Sequence, residues 1–139
     1  MSCTPGLCTR YLADTLRGVH HEDDRYMLAL YGESAQLDPS LTDYTAKGEM
    51  VGDGYKAGGV QLKGFEVVED GMAVVLTFDD AHWERVTLTR ACGGLVYNAS
   101  KRNLAVGVVK LAQPTSSTNG AFDVFFPLPT AADGLFVIT

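Results

Sequence analysis

His20-His21-Glu22-Asp23-Asp24 places two imidazoles and three carboxylates in one run, the side chains that hold metals and move protons. Adjacent residues point in different directions, and no second His or Cys motif stands at helical i, i+4 spacing, so the run reads as a solvated charged loop. Asp79-Asp80, followed by His82 beside Trp83, offers an acid and a base near an aromatic ring. Carboxylates in a loop after a strand are commonplace. No G-x-S-x-G elbow is present, and Ser and Thr cluster in polar loops away from a base. Nothing in these patterns assembles an active site. The expectation is a protein that is not an enzyme, with no catalytic residue, cofactor or metal.

The segment Gly52-Asp53-Gly54-Tyr55-Lys56-Ala57-Gly58-Gly59 raises the question of a phosphate cradle. Such a loop works by aiming backbone N–H groups from a helix N-terminus at the anion. Here a strand-like Val60-Gln61-Leu62 follows, the spacing is not G-x-G-x-x-G, and no Lys-Ser or Lys-Thr follows. Glycines at positive φ in a tight connection before a strand are the expected reading. Cys3, Cys8 and Cys92 match neither a disulfide framework nor a four-ligand zinc site and are expected to be reduced thiols, Cys92 within the core. Trp83 with Tyr11, Tyr26, Tyr31, Tyr44, Tyr55 and Tyr97 could form a stacking platform for sugars, a second reading in which the chain is a glycan-binding module.

The scaffold that must position these groups is set by composition and period. With 139 residues, 46% hydrophobic and 20% charged, the chain is one domain with a sizeable core. The formal charge of −6 argues against binding DNA or RNA, which needs a surplus of cations to displace counterions. No apolar run approaches the ~20 residues of a membrane helix, and "MSCTPGLCTR" lacks the charged start and apolar centre of a signal peptide. The protein is expected to be made in the cytoplasm and to remain soluble, with no membrane partner.

Leu12, Leu16 and Val19 at i, i+4 and i+7, with Thr9 able to cap and Gly18 near the end, predict a short helix near residues 11–17. Residues 26–31 predict a strand, and residues 33–49 a long connection in which Pro39 could open one helical turn. From Val60 onward the period is two. Asp70-Gly71 marks a hairpin in "FEVVEDGMAVVLTF", residues 86–97 form one bent strand or two around Gly93-Gly94, residues 104–111 another, and "QPTSSTNG" is a loop by composition. Phe122, Val124 and Phe126 alternate until Pro127 and Pro129 end the ladder, and "GLFVIT" supplies a last strand. Many short strands at regular spacing without intervening helices cannot form a parallel sheet, because parallel strands need long crossovers. The predicted fold is all-β, an antiparallel β-sandwich or jelly roll with a short N-terminal helix. It comprises an N-terminal part (residues 1–49: arm, helix, first strand and long connection) and a strand-rich body (residues 50–139). Alternation selects Leu28, Leu30, Val74, Leu76, Phe78, Val86, Leu88, Val106, Val108, Val124 and Phe126 as core.

The strand-rich body, through "GDGYKAGGVQLKG", "LTFDDAHWERVTLTRACGGLVYN" and the final "FDVFFPLPTAADGLFVIT", resembles a group of small virion structural proteins of tailed bacteriophages. The resemblance implies a capsid-associated protein of the cement or decoration type, bound to the major capsid protein on the outer surface of the shell. A place at the head–tail connector or in the tail is the alternative. The family pattern transfers no active-site residues. An acidic chain, repelled by packaged DNA, suits the outer face of a shell, and shell symmetry favours a homodimer or a trimer.

Contacts of this kind call for strand edges, loops and chain ends. "GLFVIT" is apolar on both faces, and "MSCTPGLC" has too little periodicity to pack by itself. The expected interface residues are therefore Ser2, Cys3, Thr4, Pro5, Gly6, Leu7, Cys8, Leu135, Phe136, Val137 and Ile138. Removal of residues 2–8 is expected to weaken attachment and to leave the fold intact.

Overall fold

A computed structural model of the chain describes residues 2–3, 5–127 and 134–138; Thr4 and Pro129, named above, lie outside them. The order of elements is β1 (Ser2–Cys3), β2 (Gly6–Leu7), α1 (Thr9–Leu16), β3 (Tyr26–Tyr31), β4 (Gln36–Leu37), β5 (Val60–Gln61), β6 (Glu66–Asp70), β7 (Ala73–Thr77), β8 (Ala81–Asn98), β9 (Leu104–Val124) and β10 (Phe136–Ile138). The chain is mostly β with one short helix, and its two larger sheets are antiparallel. One follows the order β2-β9-β8-β3-β5, the other β10-β7-β6. β1 and β4 form a two-residue parallel pair, Ser2 with Gln36 and Cys3 with Leu37, an exception to the antiparallel expectation. It ties the N-terminal segment to the connection after β3.

The hairpin expected at Asp70-Gly71 forms as β6 and β7, with Asp70 opposite Ala73 across Gly71-Met72. Gly71 has φ +62° and takes the first loop position, which in a two-residue hairpin with the twist of a II′ turn calls for glycine. Met72 is then the tip and is 99% exposed, whereas strict alternation would face it inward. Val74 is only half-buried, while its neighbours Val75, Leu76, Thr77 and Phe78 are all buried. β7 is flanked by β6 and β10 and covered on both faces, so a period of two cannot sort its residues. β3 behaves in the same way for the same reason: it lies inside the five-stranded sheet, with Leu28, Ala29, Leu30 and Tyr31 all buried. Of the other expected core positions, Leu28, Leu30, Leu76, Phe78, Val86, Leu88, Val106, Val108 and Val124 are buried, and Phe126 is half-buried.

β8 and β9 form the long antiparallel ladder of the molecule. "QPTSSTNG" is not a loop, because it lies within β9. Thr115 pairs with Ala91, Ser117 with Leu88 and Gly120 with Val86, so β8 satisfies backbone groups that the composition alone would leave to water. The ladder is irregular there, with successive register shifts and positive φ at Arg90 (56°) and Asn119 (46°). Gly93 and Gly94 continue the strand where β3 crosses closely: a Cβ on Gly94 would stand 2.7 Å from Leu28 Cδ1 and 2.9 Å from the Ala29 carbonyl oxygen.

α1 covers residues 9–16, starting earlier than expected. Thr9 is its first residue, and the N-cap is Cys8, with no side-chain cap. Gly18 at φ +76° ends it as expected. Its buried face is Tyr11 and Asp14, while Leu16 is solvent-exposed, contrary to the apolar stripe drawn through Leu12 and Leu16. Pro39 opens no helical turn; Asp38 Oδ1 accepts from Ser40 N–H there (2.8 Å) and forms a local turn.

Candidate functional site

In the charged run after α1, His21, Glu22 and Asp23 are exposed, as expected of a solvated loop, whereas His20 and Asp24 are drawn into the structure. The His20 side chain is 2% exposed and that of Asp14, on the inner face of α1, 6%. Asn98, the last residue of β8, is fully buried and donates from its amide nitrogen both to His20 Nδ1 (2.9 Å) and to Asp24 Oδ2 (2.8 Å). Lys101 donates to both Asp24 oxygens at 2.9 Å, and His21 N–H adds a bond at 3.0 Å. Burial opposes ionisation of Asp24, yet the bonds from Asn98, Lys101 and His21 outweigh it and hold the carboxyl down at about 2. Tyr11 packs against the His20 ring, centroids 4.7 Å apart. The arrangement ties α1 and its following loop to the end of β8. Among the described residues no three His, Cys, Asp or Glu side chains are placed to hold a metal ion.

Asp79, Asp80 and His82 line an open cavity of about 370 Å³ together with Val60, Gln61 and Lys63. The side chains of Asp80 and His82 are bonded to the scaffold, and Asp79 is held through its backbone. Asp80 accepts from Phe126 N–H (2.7 Å), Asp79 N–H donates to the Lys63 carbonyl (2.8 Å), and Asp79 packs on Gly64. His82 Nδ1 pairs with Asp123 across the β8–β9 ladder, a partner the sequence spacing did not reveal. The pair is half-exposed, and among the described residues no hydroxyl or thiol is bonded to it.

The glycine segment is a turn built around Glu49. Its carboxylate accepts from Tyr44 OH, from Tyr55 OH at 2.6 Å and from Gly58 N–H at 2.8 Å. Burial, reinforced by Glu49, pushes the Tyr44 and Tyr55 hydroxyls up. Tyr97 OH donates to the Gly58 carbonyl (2.6 Å), and Leu30 N–H to Tyr55 OH (3.0 Å). Gly54, Gly58 and Gly59 have φ of +81°, +96° and +87°, and strand β5 follows. The N–H that a phosphate would need at Gly58 is already taken.

The rings of the proposed sugar platform are mostly interior. Trp83, Tyr11, Tyr26, Tyr31 and Tyr97 are buried, and Tyr44 and Tyr55 are half-buried in the Glu49 cluster. Cys3, Cys8 and Cys92 are free thiols; burial raises Cys8 to about 11, far from a reactive thiolate.

The expected interface residues come from both chain ends, and the fold brings several of them together. Gly6 pairs with Val108 and Leu7 with Gly107 on β9, and β10 lies beside β2. A Cβ on Gly107 would stand 2.5 Å from Phe136 Cε1, so β10 is anchored by a ring seated on the β9 backbone. Pro5 and Leu135 line one cavity of about 200 Å³ with Val108, Val109, Phe125 and Phe126. Lys110 stands at the same cavity. Cys8 and Phe136 are inside the core, Cys3, Gly6, Leu7 and Val137 are half-buried, Pro5 is exposed and Ile138 is at the edge of exposure. For Ser2, only the backbone pairing with Gln36 is described. Since β1, β2 and Cys8 are built into the fold, removing residues 2–8 would strip two strands and the helix cap, and the expectation of an intact fold is withdrawn. Sequence reasoning missed Phe125, which is 76% exposed. Its signal was present: in Phe125-Phe126-Pro127 three consecutive apolar residues cannot all face inward.

Compared with protein-family models, curated proteins and solved structures, the chain matches none.

Proposed function

We propose that this chain is a non-enzymatic virion structural subunit, a cement protein that sits on the outer surface of a tailed-phage capsid and bridges major capsid protein subunits. In this reading the body is a β-sandwich, the β10-β7-β6 sheet laid over the five-stranded sheet through Phe136 and Gly107. The observation that carries the reading is the exposed apolar surface around Phe125, where Pro5 from one chain end and Leu135 from the other line a single groove. An exposed phenyl ring beside half-buried apolar groups is the composition of an association site. The polar clusters support the same view, because His20, Asp24 and Glu49 hold elements together and His82 is paired with Asp123 across the β8–β9 ladder. A homodimer or trimer at a capsid symmetry axis would let each subunit touch more than one shell protein, so that modest contacts act together.

The test is binding to purified shells and their rupture temperature with and without the protein. Burying one Phe side chain contributes about 1.5–3 kcal/mol, so Phe125→Asp, at an exposed position that does not hold the core, is expected to weaken attachment by roughly 10–100-fold and to leave the melting temperature of the free protein unchanged. Equal rupture temperatures at full occupancy would refute the cement role. Recovery with tails or the head–tail joint, and not with shells, would replace it by a connector or tail role.

A further inference from the structure

The buried His20 network has a property that a purely structural tie does not require. Asn98 cannot turn its amide over: its oxygen accepts from Ser100 N–H (3.0 Å), and its nitrogen faces the Asp24 carboxylate, which can only accept. One amide hydrogen therefore goes to Asp24 and the other points at His20 Nδ1. Nδ1 must then be the bare, accepting nitrogen, and the imidazole proton sits on Nε2. That Nε2 is buried 3.9 Å from Asp14 Oδ2, beyond hydrogen-bond length, and both atoms lack a hydrogen-bond partner among the described residues.

We propose that His20 is an acid-released latch: the neutral ring fastens α1 and the start of the loop that follows it to the end of β8, and protonation at Nδ1 unfastens them, with Asp24 left as the fixed point of the loop. A proton on Nδ1 would confront the Asn98 N–H, donor against donor, and the bond that joins His20 to β8 would be lost, while Asp24 stays bonded to Asn98 and Lys101. The same proton makes the ring a cation facing an unpaired carboxylate oxygen on Asp14, so the ring has a reason to move toward α1 and away from Asn98. The two arrangements use different partners and cannot coexist. Among the described residues, the titratable and charged groups that face His20 are Asp14 from α1, itself 3.9 Å from Arg10 and 3.6 Å from Arg17; Tyr11, also from α1, stacked on the ring; Asp24 and His21 from its own loop; and Lys101 from the β8–β9 connection. Asp14 and Asp24 favour the protonated ring, Lys101 and His21 oppose it, and burial is the largest influence and also opposes it. The latch therefore stays fastened near neutrality and opens in mild acid. Because Cys8 is both the N-cap of α1 and the residue after β2, opening would also loosen the N-terminal segment.

The latch does not depend on the virion reading and is tested on the free protein. Nitrogen NMR of the wild-type His20 ring near neutral pH is expected to show the proton on Nε2, and a proton on Nδ1 would overturn the proposal without any variant. Amide exchange in residues 9–20, corrected for intrinsic rates, is expected to rise on going from about pH 7.5 to about pH 5. The rise is about tenfold for each pKa unit by which His20 stands below its ordinary value, and core amides of β8 and β9 should not follow. In His20→Gln the side-chain oxygen accepts from Asn98 and the amide points at Asp14, with nothing to titrate. That variant is expected to keep α1 protected at both pH values. Equal acid responses in wild type and His20→Gln, or no response in wild type, would refute the latch.

Discussion

If Phe136 is held by the absence of a side chain at Gly107, the two positions must be strongly coupled. A methyl at Gly107 would stand 2.5 and 2.6 Å from Phe136 Cε1 and Cζ and 3.1 Å from the Gly6 carbonyl oxygen. The backbone at Gly107 is not in the left-handed region, so alanine carries no conformational penalty and the whole cost is steric. Overpacking of this kind costs about 1–3 kcal/mol. Phe136→Ala removes a ring that is 1% exposed, and should cost about 3–5 kcal/mol through lost burial and a cavity. In the double variant the clash is gone, only the tight approach to Gly6 remains, and alanine restricts the unfolded chain by about 0.4–1 kcal/mol. Gly107→Ala should then be neutral or slightly stabilising in the Phe136→Ala background, a coupling on the order of 2–3 kcal/mol. Urea unfolding of the four proteins measures it, with midpoints compared at constant slope. If the two costs add within about 0.5 kcal/mol, Phe136 is not seated on Gly107, and the packing of β10 against β9 is wrong.

Glycine replacements separate strain from space: Gly59→Ala should cost several kcal/mol, since its Cβ would lie 1.8 Å from the Leu28 carbonyl oxygen at φ +87°. Gly18→Ala, at φ +76° with nothing within 4 Å, should cost only ~1–2 kcal/mol in the same melts. Glu49→Ala leaves Tyr44 OH, Tyr55 OH and Gly58 N–H without their acceptor and should cost about 3–5 kcal/mol, whereas Glu49→Gln, which keeps an oxygen, should cost less; equal losses would show that the carboxylate is not the centre of that turn. Stability should fall in two windows as pH drops. His20, whose folded pKa is depressed, lets the unfolded chain take up its proton first, so stability declines below its ordinary value of about 6.5. Asp24 contributes above its ordinary 3.8, and that contribution disappears as pH falls toward about 2. Melting temperatures across pH check both windows, and His20→Gln should remove the upper one alone.

The β class, the Gly71 hairpin, the short helix and the turn before Val60 were legible in the sequence, because each is written into a few neighbouring residues. Alternation needs only i and i+2, a positive φ needs only the glycine itself, and a helix end needs only Gly18. The same locality explains the errors. Whether Val75 or Val74 is inside depends on strands packed beside β7, and "QPTSSTNG" became strand because β8 supplies its hydrogen bonds. The His20 network joins a loop to a residue 78 positions later, and only the fold removes it from water. Composition placed His20-His21-Glu22-Asp23-Asp24 in solvent because charged side chains are stable there, and His21, Glu22 and Asp23 are exposed; for His20 and Asp24 it took Asn98 and Lys101, brought by the β3–β8 pairing, to compensate their burial. Local sterics and period thus determined which elements this chain makes. Long-range pairing and desolvation decided which faces are covered, which protons are held, and that the two ends of the chain meet beside Phe125.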